Sequence, residues 1–519
     1  MQAAPRIDFS DKKQVAALVE RMSKVWAQPH TAAPIIGGRD VPGTGVPVRD
    51  PADTTRVVGT VVQATTADVE RAYAVAAAAQ PAWAARPVEE RARCLERMAD
   101  LLEAERDLFM ALTVREAGKT MPDAQGEVVE AVDFCRYYAA QVRTLFQPLP
   151  LPSPTGETNE LRVVPRGVYA CISPWNFPLA IFLGQIVAAL VTGNAVIAKP
   201  APQTPLIAAA AIRHLIKAGI PADVIALLPG TDEVGAAIIA DRRLAGVAFT
   251  GSNATALRIA RALLADGRPI LPLIAETGGL NAMLVDETAD PNKVVGDAVV
   301  SAFYSAGQRC SALRLLVVPE RKAAETMELL GKAMAEIPMG DPTKFETRVG
   351  PVIDAQAAAD INGYVDGHAG GVACRTPMPK DLPQGHFVAP VAIRLGKIED
   401  LKREVFGPVL HVVTWNPADL DASIDRINAS GYGLTMGVQS TNGDFINRVR
   451  DRARVGNLYV NRTIVGAMVG VQPFGGEGLS GTGFKAGGPH YLLRFVTERT
   501  FTVNTAAAGG DVALLKQAG

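Results

Sequence analysis

At 519 residues the chain is too long for one ordinary hydrophobic core and predicts two or three domains. A content of 48% hydrophobic and 20% charged residues excludes a disordered chain, and a net charge of −1 gives no bulk attraction to nucleic acid or an anionic membrane. Five widely spaced cysteines (Cys94, Cys135, Cys171, Cys310 and Cys374) without a C-x-x-C predict reduced thiols in a cytoplasmic setting.

The early residues Arg6, Asp8, Asp11, Lys12 and Lys13 leave no room for the apolar stretch of a secretory signal. Residues 10–27 follow as an amphipathic helix, with Val15, Leu18, Val19, Met22 and Val25 at helical spacing. Short strands and turns are expected over 36–66 and several helices from Thr66 to Tyr138, where Ala92, Leu95, Met98 and Leu102 form an apolar stripe. Within these helices Glu116-Ala117-Gly118-Lys119-Thr120 resembles half of a phosphate-binding loop. Thr113 stands where the first glycine belongs, so the cradle of N–H groups is missing.

From Arg162 strands and helices alternate. Strands are predicted at 168–172, 195–200, 224–228 and 246–249, with helices at 179–191, 205–218 and 253–266. Repeated β-α units of this length define a doubly wound parallel sheet, which binds ligands beyond the carboxyl ends of its strands. Those ends carry Ser173 to Pro178, Lys199, and Thr250-Gly251-Ser252, the last a turn opening a helix whose free N–H groups suit a phosphate. The most apolar helix, 179–191, is interrupted by Gly184 and Gln185 and falls short of the roughly 20 residues that span a bilayer.

Two later stretches carry chemistry. Leu273 to Asn281 delivers the Glu276 carboxylate from an apolar run into Gly278-Gly279, where a general base is better placed than a packing residue. Ser301 to Arg314 ends a helical run at Gly307 and presents Cys310 beside Arg309, whose guanidinium is expected to favour thiolate. A second α/β block follows Asn281, with strands at 315–318 and 409–413 and a helix at 320–336; His411 inside an apolar run reads as a core histidine. Glycines in the G-x-G-x-x-G pattern occur at Gly476, Gly478 and Gly481, but no βαβ unit surrounds them, so they are not read as a dinucleotide fingerprint. The six histidines include no H-E-x-x-H or H-x-H, so no metal site is expected. After a short strand, 494–503, the tail from Gly487 reads as an arm or linker.

The pair E-x-G-G at Glu276 and G-Q-x-C at Cys310 resembles the aldehyde dehydrogenase superfamily, and the likeness runs from about Ile36 to Val503. The resemblance implies the aldehyde dehydrogenase fold: an α/β chain with a doubly wound, Rossmann-like cofactor domain (1–147 and 161–276), a second α/β catalytic domain (277–465), and a small β oligomerisation arm with a C-terminal tail (148–160 and 487–519). It implies Cys310 as nucleophile, Glu276 as base, and an oxyanion hole made by Asn176 with the Cys310 amide. It implies NAD as cofactor, contacted by Ile172, Ser173, Pro174, Trp175, Lys199, Ala201, Pro202, Gly230, Thr250, Gly251, Ser252, Thr255, Thr277, Gly278, Glu404 and Phe406. Pro202 departs from the family, which usually places a ribose-binding Glu there; no Arg or second Lys replaces it, so NAD over NADP remains the expectation.

Further matches at 307–314, 465–476 and 479–483 look like the glutamate-γ-semialdehyde (1-pyrroline-5-carboxylate) dehydrogenase branch, most of all the module found in bifunctional proline utilisation A proteins. In that branch Gly466 and Ala467 would anchor the substrate carboxylate with help from Ser311 and Arg309. Phe177 and Phe474 would flank the aliphatic chain, with Glu127 as a further contact. The chain is too short to hold a proline dehydrogenase barrel as well, so it reads as either an excised module or a stand-alone relative; the resemblance allows a proline dehydrogenase domain or protein as partner, and a homodimer or higher homo-oligomer is expected. A broader-specificity aldehyde dehydrogenase, an acylating relative that passes its thioester to coenzyme A, and a structural protein on the same fold stay open as alternatives, the last opposed by the intact Cys310, Glu276 and Asn176 set.

Overall fold

The computed structural model describes residues 6–264 and 267–505. Its first seven-stranded sheet runs Leu273–Glu276, Leu244–Thr250, Val168–Ile172, Ala195–Lys199, Ile225–Leu227, Ile35–Ile36 and Arg39–Asp40. The first five strands are parallel and the last two add an antiparallel edge. Val168 to Cys171 and all of 195–199 are buried, which is why these strands read as unbroken apolar runs. The register pairs Ile172 with Lys199, Phe249 with Ile172 and Thr250 with Glu276, so four functional positions end level on one edge.

A second seven-stranded sheet has the order Val372–Arg375, Val391–Arg394, Val409–Trp415, Leu315–Pro319, Ala282–Val285, Thr435–Gln439 and Asn457–Val460, parallel except at its first strand. Its two faces carry separate cores, one around Phe303, Leu313 and Leu316, the other around Leu284, Val317 and Trp415. His411 is wholly buried here between the Tyr364 hydroxyl (2.9 Å) and the Arg314 carbonyl (2.9 Å), a sheet histidine as expected.

The helices of the first domain stop and start where local chemistry requires. Lys12–Trp26 is capped by Asp11, and Arg106–Ala117 ends at Gly118 in the left-handed region (φ 65°). The long helix Met121–Leu145 then starts at the Thr120 cap, and Ser252 caps Asn253–Leu263. Positions 265–266, at the end of that expected helix, lie outside the described residues, as does the tail from 506.

A third, antiparallel sheet joins Val496–Asn504, Glu157–Pro165 and Leu149–Leu151. The strand Glu157–Pro165 crosses the 160/161 boundary expected from sequence. The stretch 491–495 is also no linker: Tyr491, Leu492 and Phe495 are buried in the core of the first domain. Their apolar side chains at the end of a Gly-rich run are the reason. No helix among the described residues is long and apolar enough to cross a membrane.

Candidate active site

Between the two sheets a cavity of about 330 Å³ is lined by Phe177, Thr250, Glu276, Thr277, Arg309, Cys310, Ser311, Gly466, Ala467 and Phe474. Elements far apart in sequence thus meet as the motifs implied. A second cavity, about 480 Å³, lies beyond the carboxyl ends of the first sheet and is lined by Ile172, Lys199, Thr255, Asp232, Gly235 and Arg258. Ser173, Pro174, Ala201, Pro202 and Gly230 line neither.

The cysteine loop is built by side chains that reach in from several directions. Asn281 donates from Nδ2 to the carbonyls of Cys310 (2.7 Å) and Ala312 (2.8 Å), while its Oδ1 accepts from the Thr435 amide (3.1 Å). The Gln308 side-chain amide is anchored on the Pro351 carbonyl and the Ile353 N–H, while the Gln308 backbone carbonyl accepts from Asn176 Nδ2 at 3.1 Å. Asn176 is 8% exposed, set against the cysteine loop. Arg314, fully buried, donates to the carbonyls of Gly407 (2.8 Å) and Arg309 (3.2 Å), pairs with Glu404 at 3.5 Å and lies 5.5 Å from the Phe406 ring. Gly307 explains its own identity: its φ is 65°, and a Cβ there would lie 2.1 Å from the Gly407 carbonyl oxygen.

Arg309 does not do what its neighbourhood in sequence suggests. Its guanidinium pairs with Asp123 Oδ1 at 2.5 Å. The charges bearing on the Cys310 thiol are instead negative, and burial first, then Glu404 and Glu276, push it up to about 12. Sequence adjacency placed the guanidinium beside the cysteine; the turn of the loop carries it to the other side.

Glu276 ends its strand with Oε2 accepting from the Gly476 amide at 3.1 Å, and it forms a bridge with Gly481. Its Oε1 is buried and finds no hydrogen-bond partner among the described residues. Burial pushes its carboxyl well above the usual carboxylate range, opposed by the Gly476 amide and the charge of Lys485. The glycine-rich run from Gly476 to Gly481 wraps this carboxylate. Gly475 needs its missing side chain, since a Cβ would lie 2.8 Å from Glu276 Oε1.

Glu404 turns onto the Gly278-Gly279 turn, so closely that a Cβ on Gly278 would lie 1.7 Å from its Oε2. Burial raises its carboxyl, with Arg314 and the Gly279 amide opposing. Phe406 meets Trp175 edge to face, ring centres 5.5 Å apart. Glu127 lies outside the cavity: its carboxylate pairs with Lys119 Nζ at 2.6 Å and accepts from the amides of Leu179 (3.3 Å) and Ala180 (2.8 Å) at the start of a helix. One turn further, Glu130 lines the cavity, with burial raising its carboxyl to about 8.

Lys119, in the stretch that falls short of a phosphate loop, has a place at the site that no sequence motif signals. It donates to the Asn176 carbonyl (2.7 Å) and lies 3.9 Å from the centre of the Phe177 ring. Gly466 has φ 77° with open space beside its Cα, so the backbone conformation requires glycine, and the free volume faces the cavity.

The second cavity fits a dinucleotide. Lys199 is 6% exposed at a strand end, lowered to about 8 by burial while Asp232 opposes. Beside it Ser252 caps the helix that follows Gly251, with Oγ accepting from the Thr255 amide at 3.2 Å. Ser173 is fixed through Gln185, which also holds Thr250. Among the described residues no group of three or more His, Cys, Asp or Glu is placed to hold a metal ion.

A crevice at the strand ends of one α/β sheet, facing a thiol and a carboxylate carried by the turn into a second, is the arrangement of an aldehyde dehydrogenase. Residues 39–501 match the aldehyde dehydrogenase family, and the chain belongs to it. It is 48% identical over 505 residues to the bifunctional protein PutA of Klebsiella aerogenes, covering 95% of this chain and 38% of that protein. The chain thus spans about two-fifths of the length of that bifunctional relative. It is 37% identical over 504 residues to 1-pyrroline-5-carboxylate dehydrogenase of Geobacillus sp. (strain WCH70), covering 96% of this chain and 98% of that protein. Among solved structures, 1-pyrroline-5-carboxylate dehydrogenase from Thermus with bound NAD superposes with a TM-score of 0.93 at 33% identity, over 97% of this chain and 99% of that one.

Proposed function

We propose that the chain oxidises L-glutamate γ-semialdehyde, the open form of 1-pyrroline-5-carboxylate, to L-glutamate with NAD, as a step of proline breakdown. The observation that carries this reading is one cavity shared by Cys310, Glu276 and the open backbone of Gly466-Ala467. The names of the full-length relatives support the substrate. Lys199, Thr255 and the capped turn at Gly251-Ser252 would hold the dinucleotide, whose chemistry when bound is to accept a hydride.

The protein's own groups perform the rest. Burial raises both groups, Cys310 to about 12 and the Glu276 carboxyl above the usual carboxylate range, and the thiol becomes a nucleophile when ionised Glu276 takes its proton directly or through water. The thiolate adds to the aldehyde carbon. The Asn176 amide group and the Cys310 N–H stabilise the oxyanion of the thiohemiacetal, a contribution of about 10²–10³ in rate for one such donor. After oxidation to the thioester, Glu276 activates the water that releases the acid. The likeness to bifunctional relatives supports a proline dehydrogenase partner in a cytoplasmic setting. The sheet of 149–151, 157–165 and 496–504 supports a homo-oligomer, since among the described residues its outer strands keep an unpaired edge.

The test is a spectrophotometric screen of aldehydes with NAD and NADP on wild type and Cys310→Ala. Glutamate semialdehyde should give the highest kcat/KM, NAD should exceed NADP, and the variant should be inactive. Full activity in Cys310→Ala, or a preference for NADP, would contradict the reading.

A further inference from the structure

The loop ahead of the nucleophile is held in a conformation that side chains resist. Ser305 (φ 59°), Ala306 (φ 52°) and Gly307 (φ 65°) take left-handed backbone angles in succession. For residues with a Cβ this crowds the following carbonyl, so the run persists only where the surroundings over-determine it. One side chain does so from both ends. Asp123 Oδ2 accepts from the Ser305 hydroxyl at 2.9 Å, and Oδ1 pairs with the Arg309 guanidinium at 2.5 Å. The three residues between these grips, and then Arg309 itself, lead straight into Cys310.

Asp123 is itself fixed. It lies in the first turn of Met121–Leu145, where the Thr120 hydroxyl donates to its Oδ2 at 2.8 Å and accepts from its amide at 3.4 Å. Just before this cap, Lys119 holds the Asn176 carbonyl. One helix start therefore grips the loop of Asn176, which leaves the first sheet, and the loop of Cys310, which leads into the second. Burial works to raise the Asp123 carboxyl, but Arg309, Lys119 and the two hydroxyls outweigh it and keep it below its ordinary range, so the grip stays charged.

We propose that Asp123 is a positioning residue for the aldehyde oxidation: by tethering Ser305 and Arg309 it fixes the backbone that sets the Cys310 thiol and amide against Asn176. This rests on the reading of Cys310 as nucleophile. It also gives Arg309 a different task from carboxylate binding, and the two tasks separate in kinetics. A misplaced loop slows every aldehyde at the chemical step, whereas a lost carboxylate contact weakens binding of the semialdehyde alone.

The experiment uses the full chain carrying Asp123→Asn, Ser305→Ala, Arg309→Gln and the double variant Asp123→Asn/Arg309→Gln. Steady-state kinetics are measured with propanal and glutamate semialdehyde, with thermal melts alongside and Cys310→Ala as reference. Asp123→Asn should lower kcat by about 10- to 100-fold for both aldehydes, the scale of a loop misplaced by about 1 Å, with KM little changed. Ser305→Ala should lose less. The double variant should be no worse than the poorer single one, since both substitutions cut the same tether. Wild-type kcat in Asp123→Asn, a KM effect confined to the semialdehyde, or additive losses in the double variant would overturn the proposal. If Asp123→Asn does not fold, Ser305→Ala and Arg309→Gln decide it by the same split, with an unchanged kcat in both counting against. Activity remaining in Cys310→Ala would instead refute the nucleophile, a result the Asp123 variants cannot imitate.

Discussion

Replacing Gly307 with Ala tests how closely the cysteine loop must approach the loop of Glu404 and Phe406. The new Cβ would lie 2.1 Å from the Gly407 carbonyl oxygen, 2.5 Å from its carbon and 2.8 Å from the Pro408 nitrogen, where real contacts rarely fall below 3.0 Å. All three atoms are backbone, so no side chain can swing away and the loops must part by about 1 Å. The left-handed φ of 65° adds about 1–2 kcal/mol of conformational cost. A displacement of about 1 Å at the reacting groups lowers the rate about 10²-fold. Gly307→Ala should therefore lose about 100-fold in kcat with propanal and NAD, and its thermal midpoint should fall. Gly363→Ala is the control: it lies within the helix Ala355–Gly367, a Cβ there meets nothing within 4 Å, and it should gain about 0.5–1 kcal/mol with no change in kcat. A Gly307→Ala enzyme with the parent's kcat would refute the reasoning, whatever its melting point.

The anchor loop separates a semialdehyde enzyme from a general one. Ala467→Leu should raise KM for glutamate semialdehyde by about 10- to 100-fold, the value of one hydrogen bond to a charged group, and change propanal far less; equal losses for both would reduce the loop to a structural turn. The pH response follows from burial. Because Cys310 is pushed up to about 12, its reactive thiolate gains as pH rises, so both kcat/KM and alkylation of Cys310 by iodoacetamide should climb from neutral into mildly alkaline pH. A profile that falls over that range, or label that maps chiefly to the fully buried Cys171, would contradict this.

The first sheet was legible because its central strands are buried on both faces and so read as apolar runs, from Val168 to Ile172 and from Ala195 to Lys199. Thr435–Gln439 in the second sheet was not, since Gly437 interrupts it; that glycine is required because a Cβ would lie 2.7 Å from Ile464. Cys310, Glu276 and the 466–467 loop, singled out by their motifs, line one cavity. What the motifs could not give was direction. Arg309 stands next to Cys310 in sequence but reaches Asp123, 186 positions away. Glu127 and Glu130 share a helix, yet one caps the start of Ala180–Val191 and the other faces the cavity. Such orientations depend on partners that no local pattern names.

The grip on Glu276 also has a consequence for the order in which the site is made. Its strand can pair with neighbours from 168–172 and 244–250 as soon as it leaves the ribosome, because all of them precede it in the chain. The amide that holds its carboxylate belongs to Gly476, 200 positions later. At about 5–20 residues per second, that separation leaves the carboxylate in water for about 10–40 s of synthesis. Until then Glu276 lacks both the Gly476 amide and the burial that raises its carboxyl. The shifted acidity on which the chemistry depends arises only when the last twelfth or so of the chain closes over it, so partial chains stopping short of Gly476 should carry the motifs without the catalyst.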